Sequence, residues 1–309
     1  MIGVQAALAS ALFSGLAPIF GKQAILAGFS PFEVVAYRTG IAAVLFVLII
    51  LLFSRKYFEI YPVGLVGCIL AGIVNGLGSL LYYSALGRLN ANLGHLLYSL
   101  YPLFVALWLL LDHQTLTRIT FLRLFISVPA IYLLVQTGQL PIDLIGVVLM
   151  IGAACLYGLH IIINQRVLYE VPAPTVTLYT LIAMSVVVIP AYLLFDQTSF
   201  RIPPGNFLFL LNLTWPIIAL SLVTFLSRLT LFLGVKHLGG LQTALLGLAE
   251  LFVTIVLAQW WLGERLTVLQ WMGAILLFGS FILIGLDKKI PEKRKSRGWL
   301  AWLNPTGLR

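Results

Sequence analysis

Apolar residues run through this chain in blocks of about twenty, separated by short polar links. A bilayer core about 30 Å thick takes roughly 20 helical residues to cross. On that scale the pattern predicts ten spans, at 2 to 26, 33 to 53, 62 to 86, 91 to 111, 119 to 138, 143 to 165, 174 to 195, 214 to 236, 240 to 262 and 268 to 286. The links hold the residues that stop helices: Ser30-Pro31, Arg55-Lys56, Arg88-Leu89-Asn90, Asp112-His113, Pro141-Ile142-Asp143, Pro172-Ala173-Pro174, Pro203-Pro204-Gly205 and Gly263-Glu264-Arg265. Only the link at 196 to 213 is long, and Phe207 to Leu211 within it is expected to form an interfacial turn. The fold class that follows is an all-α polytopic membrane protein.

Inside the spans, polar residues recur at helical spacing. Positions i, i+3, i+4 and i+7 share one face of a helix, so Ser10, Ser14 and Pro18 form a stripe on the first span, and Asn75, Ser79 and Tyr82 on the third. His95, Tyr98, Ser99 and Pro102 do so on the fourth, and Tyr157, His160 and Asn164 on the sixth. The eighth offers Ser221, Thr224 and Arg228, and the ninth Gly247, Glu250 and Thr254. Such stripes either wall a hydrated cavity or bond neighbouring helices. Gly72 and Gly76 fit the small-xxx-small pattern of close helix packing. Ser127, Tyr132 and Gln136 make no dense stripe on the fifth span. Gly273, Gly279, Ser280 and Gly285 suit packing on the tenth, so these two are expected to be scaffold or dimer surfaces, in a monomer or a homodimer.

Charge changes the picture at two places. Arg228 and Glu250 fall deep within adjacent spans, where each charge costs about 2.5 to 3.5 kcal/mol even on lenient insertion scales. Arg228 lies ten positions before the turn near residue 238 and Glu250 twelve after it. At 1.5 Å per residue, a hairpin brings them within about 3 Å of the same depth. Glu250 is then either the counter-ion of Arg228 or a protonation site, and Arg228 either holds that glutamate or binds a substrate carboxylate. Arg38, some 7 Å inside the second span at that rise, is expected to snorkel and to be structural. His95, a turn from the start of its span, is expected near the outer mouth.

Composition agrees with the pattern: 61% of the 309 residues are hydrophobic and 9% charged, against roughly 25% charged in soluble domains, and the mean hydropathy is +1.05. The net charge of +9 does not point to nucleic acid, because Lys288, Lys289, Lys293, Arg294, Lys295, Arg297 and Arg309 gather in the tail at 287 to 309. That tail, with Trp299 and Trp302, suits anionic lipid headgroups. With the N-terminus inside, the inner links hold Arg55, Lys56, Arg118, Arg166 and Lys236, and the outer ones Lys22, Arg88, Arg201 and Arg265. Adding the tail places both termini in the cytoplasm of a cell that keeps the protein in its plasma or inner membrane. Met1 to Ala27 lacks a basic leader and a small-residue cleavage site, so an uncleaved first helix is expected. Cys68 and Cys155 sit in apolar runs with no metal-ligand spacing.

The halves echo one another. Ser30-Pro31 before Tyr37 matches Ala173-Pro174 before Tyr179, Leu86-Gly87-Arg88-Leu89 loosely matches Gly234 to Leu238, and Gln114-Thr115-Leu116-Thr117 matches Glu264-Arg265-Leu266-Thr267. A unit of five spans crosses an odd number of times, so its second copy enters from the opposite face, the inverted-repeat plan of many secondary transporters. The expected repeats are residues 1 to 138 and 143 to 286.

Pro31 with Arg38, Ala85-Leu86, Pro102-Leu103-Phe104, Glu250-Leu251-Phe252 and Leu262-Gly263-Glu264-Arg265-Leu266 resemble the drug/metabolite transporter superfamily in its ten-helix EamA-type branch. The chain departs from that pattern at Gln114, where an acidic residue is usual, and at Leu251, where proline is frequent. The resemblance implies a gradient-driven carrier or exporter of amino acids and other small metabolites, with a cavity between helices one to four and six to nine. The candidate substrate-binding residues are Ser14, Asn75, Ser79, Tyr82, His95, Tyr98, Ser99, Tyr157, His160, Asn164, Thr224, Arg228 and Glu250, with Glu250 the candidate for proton coupling. No cofactor or metal is expected. An enzyme is disfavoured because Asp112, Asp143, Asp196 and Asp287 are scattered at span ends and no HExxH or Walker loop occurs; a passive channel stays open.

Overall fold

The computed structural model describes residues 2–112, 143–168, 171–196, 207–247 and 249–285, and positions 122, 125, 126, 128–130, 132 and 133. Its helices are α1 (Ile2–Leu26), α2 (Pro31–Phe53), α3 (Pro62–Arg88), α4 (Ala91–Tyr98), α5 (Tyr101–Leu111), α6 (Leu144–Val167), α7 (Ala173–Phe195), α8 (Phe207–Leu238), α9 (Gly240–Gly247), α10 (Ala249–Trp261) and α11 (Val268–Gly285), with a 3₁₀ turn at Arg55–Phe58. Seven stretches among the described residues are long and apolar enough to cross a bilayer, with α4 and α5 counted as one. The ninth and tenth expected spans are occupied by α9 with α10 and by α11. The fifth lies mostly outside the described residues, although the positions described between 122 and 133 are helical. The tail at 287 to 309 also lies outside them.

Local signals explain the helix starts. Ser30 caps α2 through a reciprocal pair of bonds: the Glu33 amide donates to Ser30 Oγ (3.1 Å) and the Ser30 amide to Glu33 Oε2 (2.9 Å), with Pro31 in the first turn. Asp143 accepts from the amides of Ile145 and Gly146 at the head of α6. Arg88 donates to the same carboxyl at 2.8 Å and, with those amides, holds it below the usual carboxylate range. Two expectations need correction. Phe207 to Leu211 is no interfacial turn but the first part of α8, which runs unbroken for 32 residues. The fourth span is interrupted at Ser99 and Leu100, because Pro102 has no amide to give the Tyr98 carbonyl. The chain there tightens to Leu100 N–H···O=C Leu97 (3.2 Å), and Ser99 Oγ turns back onto the Leu96 carbonyl at 2.6 Å.

Contacts between helices establish the inversion without reference to a membrane. Added Cβ atoms place Gly3 of α1 against His237 and Leu238 of α8, and Phe20 meets Trp215, so α1 and α8 are antiparallel. Gly146 of α6 meets Leu89 and Arg88, Gly78 of α3 meets Leu156, and the His160 ring bonds the Ala71 carbonyl, so α3 and α6 are antiparallel too. Gly21 against Tyr83 and Lys22 against Leu86 make α1 and α3 parallel. The first helix of the second half therefore runs opposite to the first helix of the first half.

The packing scheme is also unchanged when the halves are exchanged. The α1·α8 pair becomes α6·α3, α1 with α9 and α10 becomes α6 with α4 and α5, the α2·α8 pair becomes α7·α3, α4·α10 becomes α9·α5, and α2·α7 maps onto itself. These crossings are close. A Cβ on Gly72 would lie 2.5 Å from the Ala183 Cβ and 2.8 Å from the Thr180 carbonyl, and one on Gly76 would lie 3.0 Å from Val187, which accounts for the small-xxx-small spacing as packing of α3 on α7. A Cβ on Gly15 would come within 2.7 Å of the Glu250 carbonyl, beside the bond from Thr254 Oγ1 to the Gly15 carbonyl. Gly72→Val forces backbones apart and is expected to cost about 1–3 kcal/mol or more, read as a lower thermal midpoint in detergent. Leu77→Val, on the exposed face of α3, should leave that midpoint nearly unchanged.

Candidate functional site

Where the two halves meet, near the middle of α1, α3, α6 and α8, a cavity of about 70 Å³ is lined by residues of both. A stored water needs roughly 10–15 Å³ on this measure, so the space holds a handful of waters and lies well below the roughly 300–1,000 Å³ of occupied small-molecule pockets. The walls follow helical spacing: Ser14, Ala17 and Pro18 on α1; Asn75, Gly78, Ser79, Tyr82 and Tyr83 on α3; Thr224, Ser227, Arg228 and Leu231 on α8. Arg38, His95, Tyr98, Ala153, Tyr157 and Glu250 complete the lining.

Of the sequence candidates, Ser14, Asn75, Ser79, Tyr82, His95, Tyr98, Tyr157, Thr224, Arg228 and Glu250 surround this cavity. Ser99, His160 and Asn164 do not line it. Ser99 spends its hydroxyl on its own helix at the Pro102 interruption. His160 stands behind Arg228: Nδ1 lies 3.0 Å from the Ala71 carbonyl and Nε2 3.3 Å from Arg228 Nη1. That arrangement assigns the proton to Nδ1 and leaves Nε2 to accept from the guanidinium. Asn164 in turn donates to the His160 carbonyl at 2.8 Å.

Arg38 reverses its expectation. It does not snorkel: it is 6% exposed and belongs to the cavity wall. Its guanidinium lies over the Tyr83 ring at 4.7 Å, and Nη1 donates to Thr224 Oγ1 at 3.3 Å. Tyr83 and Ser227 were within reach of the periodicity argument, lying four residues from Ser79 and three from Thr224. Arg38 announced itself only as a charge well inside an apolar helix.

Arg228 and Glu250 share the cavity but form no direct ion pair. Arg228 rests on neutral groups: Nη2 donates to Asn75 Oδ1 at 3.2 Å, Nη1 faces His160, and the Tyr157 ring lies 5.6 Å beneath. The basic group beside Glu250 is His95, whose Nε2 stands 3.8 Å from Oε1. His95 is no hydrated mouth residue, being 3% exposed. Buried polar atoms without a hydrogen bond gather here: Arg38 Nε, both ring nitrogens of His95, and Glu250 Oε1. Buried polar atoms are nearly always partnered in folded proteins. These four atoms belong to three residues that line the same cavity.

With this geometry in hand, the sequence profile of the EamA-like transporter family matches residues 1–136 and 144–286. The chain belongs to the EamA-like transporter family. It is accordingly a multi-pass membrane transporter of the drug/metabolite type. The two matched stretches coincide with the halves whose helices run in opposite directions. A solved structure described only as a crystal structure of a protein shares the fold, with a TM-score of 0.60 at 17% identity over 90% of this chain and 96% of that one. No curated protein matches.

Polar contacts join the two halves of this EamA-type transporter at both ends. At the end where α1 and α3 finish, Gly263 adopts φ +68° and turns the chain so that Glu264 meets the head of α4. The amides of Ala91 and Asn92 donate to its two carboxylate oxygens at 2.9 Å each, a charge-assisted cap on the positive end of a helix. Lys22 donates beside it to the carbonyls of Leu86 (2.8 Å) and Leu89 (2.7 Å). At the opposite end, where α6 and α5 finish, Arg166 pairs with Asp112, both buried. Asp112→Ala leaves Arg166 buried without that carboxylate and is expected to cost about 3–5 kcal/mol of stability. The double change Asp112→Leu with Arg166→Met should recover most of it; equilibrium unfolding in detergent measures both.

Proposed function

We propose that this transporter is a secondary-active carrier that exports small metabolites such as amino acids, by alternating access around the mid-membrane cavity. Its place is the plasma or inner membrane, with both termini in the cytoplasm. The substrate contacts Ser14, Asn75, Ser79, Tyr82, His95, Tyr98, Tyr157, Thr224, Arg228 and Glu250, while His160 and Asn164 position Arg228. The observation that carries this reading is a cavity at the junction of two inverted halves, presenting Arg228 and Glu250 to the same contents. A zwitterion offers the complement of both. Polar contacts between the halves at both ends favour a carrier, whose halves rock against each other, over a pore that stands open. Proton coupling is assigned to Glu250, the one carboxylate on the cavity wall.

Purified protein in proteoliposomes tests this with radiolabelled amino acids under an imposed pH gradient. Wild type is expected to accumulate its substrate above equilibrium, and a protonophore should collapse that accumulation. Glu250→Gln should remove the dependence on the gradient, and Arg228→Gln should lower uptake at least tenfold. If both variants stay folded and keep uptake and its pH response, the assigned roles are wrong. Equilibration without accumulation would make the protein a facilitator.

A further inference from the structure

We infer that Arg38 and Arg228 together form an anion subsite that takes the carboxylate of the transported molecule, so that the acid group rather than an ammonium is what the cavity requires. The inference rests on the carrier reading and adds to it the part of the substrate that is recognised. Arg38 Nη1 bonds Thr224, and Thr224 and Arg228 stand four residues apart on one face of α8. Residues so spaced are about 5–6 Å apart at Cβ, which brings the two guanidiniums to neighbouring positions on the same wall of the cavity.

Neither cation has a carboxylate within ion-pair distance among the described residues. Each is held by neutral groups, Thr224 and the Tyr83 face for Arg38, and Asn75, His160 and the Tyr157 face for Arg228. These partners leave donors over. Arg38 Nε is buried with no hydrogen bond, and a guanidinium presents five N–H groups in a fork shaped for a carboxylate. Glu250 does not neutralise the pair, since it stands by His95 with Oε1 unbonded. The cavity thus holds two fixed cations and one carboxylate, and an organic anion balances the account with donors already in place. Tyr82 and Tyr98, stacked edge to face at 4.8 Å, supply apolar surface for the body of such a molecule.

The test is a thermal-shift titration of the purified transporter with matched acid and amide pairs: glycine and glycinamide, leucine and leucinamide, phenylalanine and phenylalaninamide, benzoate and benzamide. A bound ligand stabilises in proportion to its occupancy of the folded state. The expected result is that at least one acid stabilises the wild type at a concentration tenfold or more below its amide. Arg38→Gln should erase that preference, and Arg38→Lys, which keeps the charge and loses the fork, should retain part of it. Both variants are first checked for a ligand-free midpoint and a monodisperse elution profile. Amides that stabilise as well as their acids, a panel in which no acid acts, or an Arg38→Gln variant with undiminished acid preference would each overturn the subsite. Uptake in proteoliposomes separates the two readings. Carriage indifferent to the acid group leaves the carrier standing without the subsite, and acid-selective binding without uptake leaves the subsite without the carrier.

Discussion

Fixed positive charge at mid-bilayer depth is the constraint around which the rest of the structure is arranged. Arginine in a protein does not shed its proton at any ordinary pH, so a guanidinium placed there must be solvated by the protein itself or by a ligand. Arg228 is solvated by dipoles and a ring, from Asn75, His160 and Tyr157, and Arg38 by Thr224 and Tyr83. None of these groups carries a full negative charge in its ordinary state. They make the cations tolerable without cancelling them, which leaves a positive potential directed at the cavity. Lysine would not serve equally, because its compact ammonium neither stacks on a tyrosine face nor offers a planar fork.

The inverted halves supply the geometry in which such a wall becomes useful. Each helix of one half runs opposite to its counterpart in the other, so in the proposed cycle a tilt that opens one end would have an equivalent that opens the other. At the close crossings of Gly15 and Gly72 each glycine lies against both backbone and the Cβ of a neighbour, Val253 and Ala183 respectively, which would make them the stiff seams of the proposed cycle. The contacts that would have to break in the proposed cycle are the polar ones at the ends, Glu264 on the head of α4 and Arg166 on Asp112. With both intact the cavity is reduced to about 70 Å³. That is too small for a substrate of amino-acid size, which in the proposed cycle would have to separate the walls by loosening one of the two ends.

Much of this was legible in the sequence because the bilayer fixes two periods at once, the length of a span and the 3.6-residue turn. Span positions among the described residues came through nearly unchanged, and the polar stripes share residues with the cavity wall on α1, α3 and α8, while of the ninth-span stripe only Glu250 reaches it. What periodicity lacks is radial order. It places Tyr157, His160 and Asn164 on one face of α6, yet only Tyr157 reaches the cavity, while His160 and Asn164 form a second layer that orients Arg228. It also cannot register an interruption one residue wide, so Ser99 was placed in line with His95 although Pro102 turns its hydroxyl back to Leu96. Arg38 was misjudged for a different reason. Snorkelling is the ordinary fate of an arginine near a helix end, and only the partner surfaces of α3 and α8, remote in sequence, hold it inward.

The two ends are not closed alike, and that difference bears on the transport cycle in a specific way. One end relies on a carboxylate over helix amides and the other on a buried guanidinium–carboxylate pair; the residue that matches Glu264 in the first half is Gln114, which lies outside the described residues. In the alternating-access cycle proposed above, unequal latches would make the inward-open and outward-open forms unequal in free energy when the carrier is empty. They do not set the direction of net transport, because an equilibrium between states shifts only with the ligands and gradients that bind those states differently. The latches therefore govern which side the empty cavity faces and how long it waits there. In the same proposal the direction of flow follows the substrate and proton gradients, which act through what binds at Glu250, Arg38 and Arg228 on each side of the membrane.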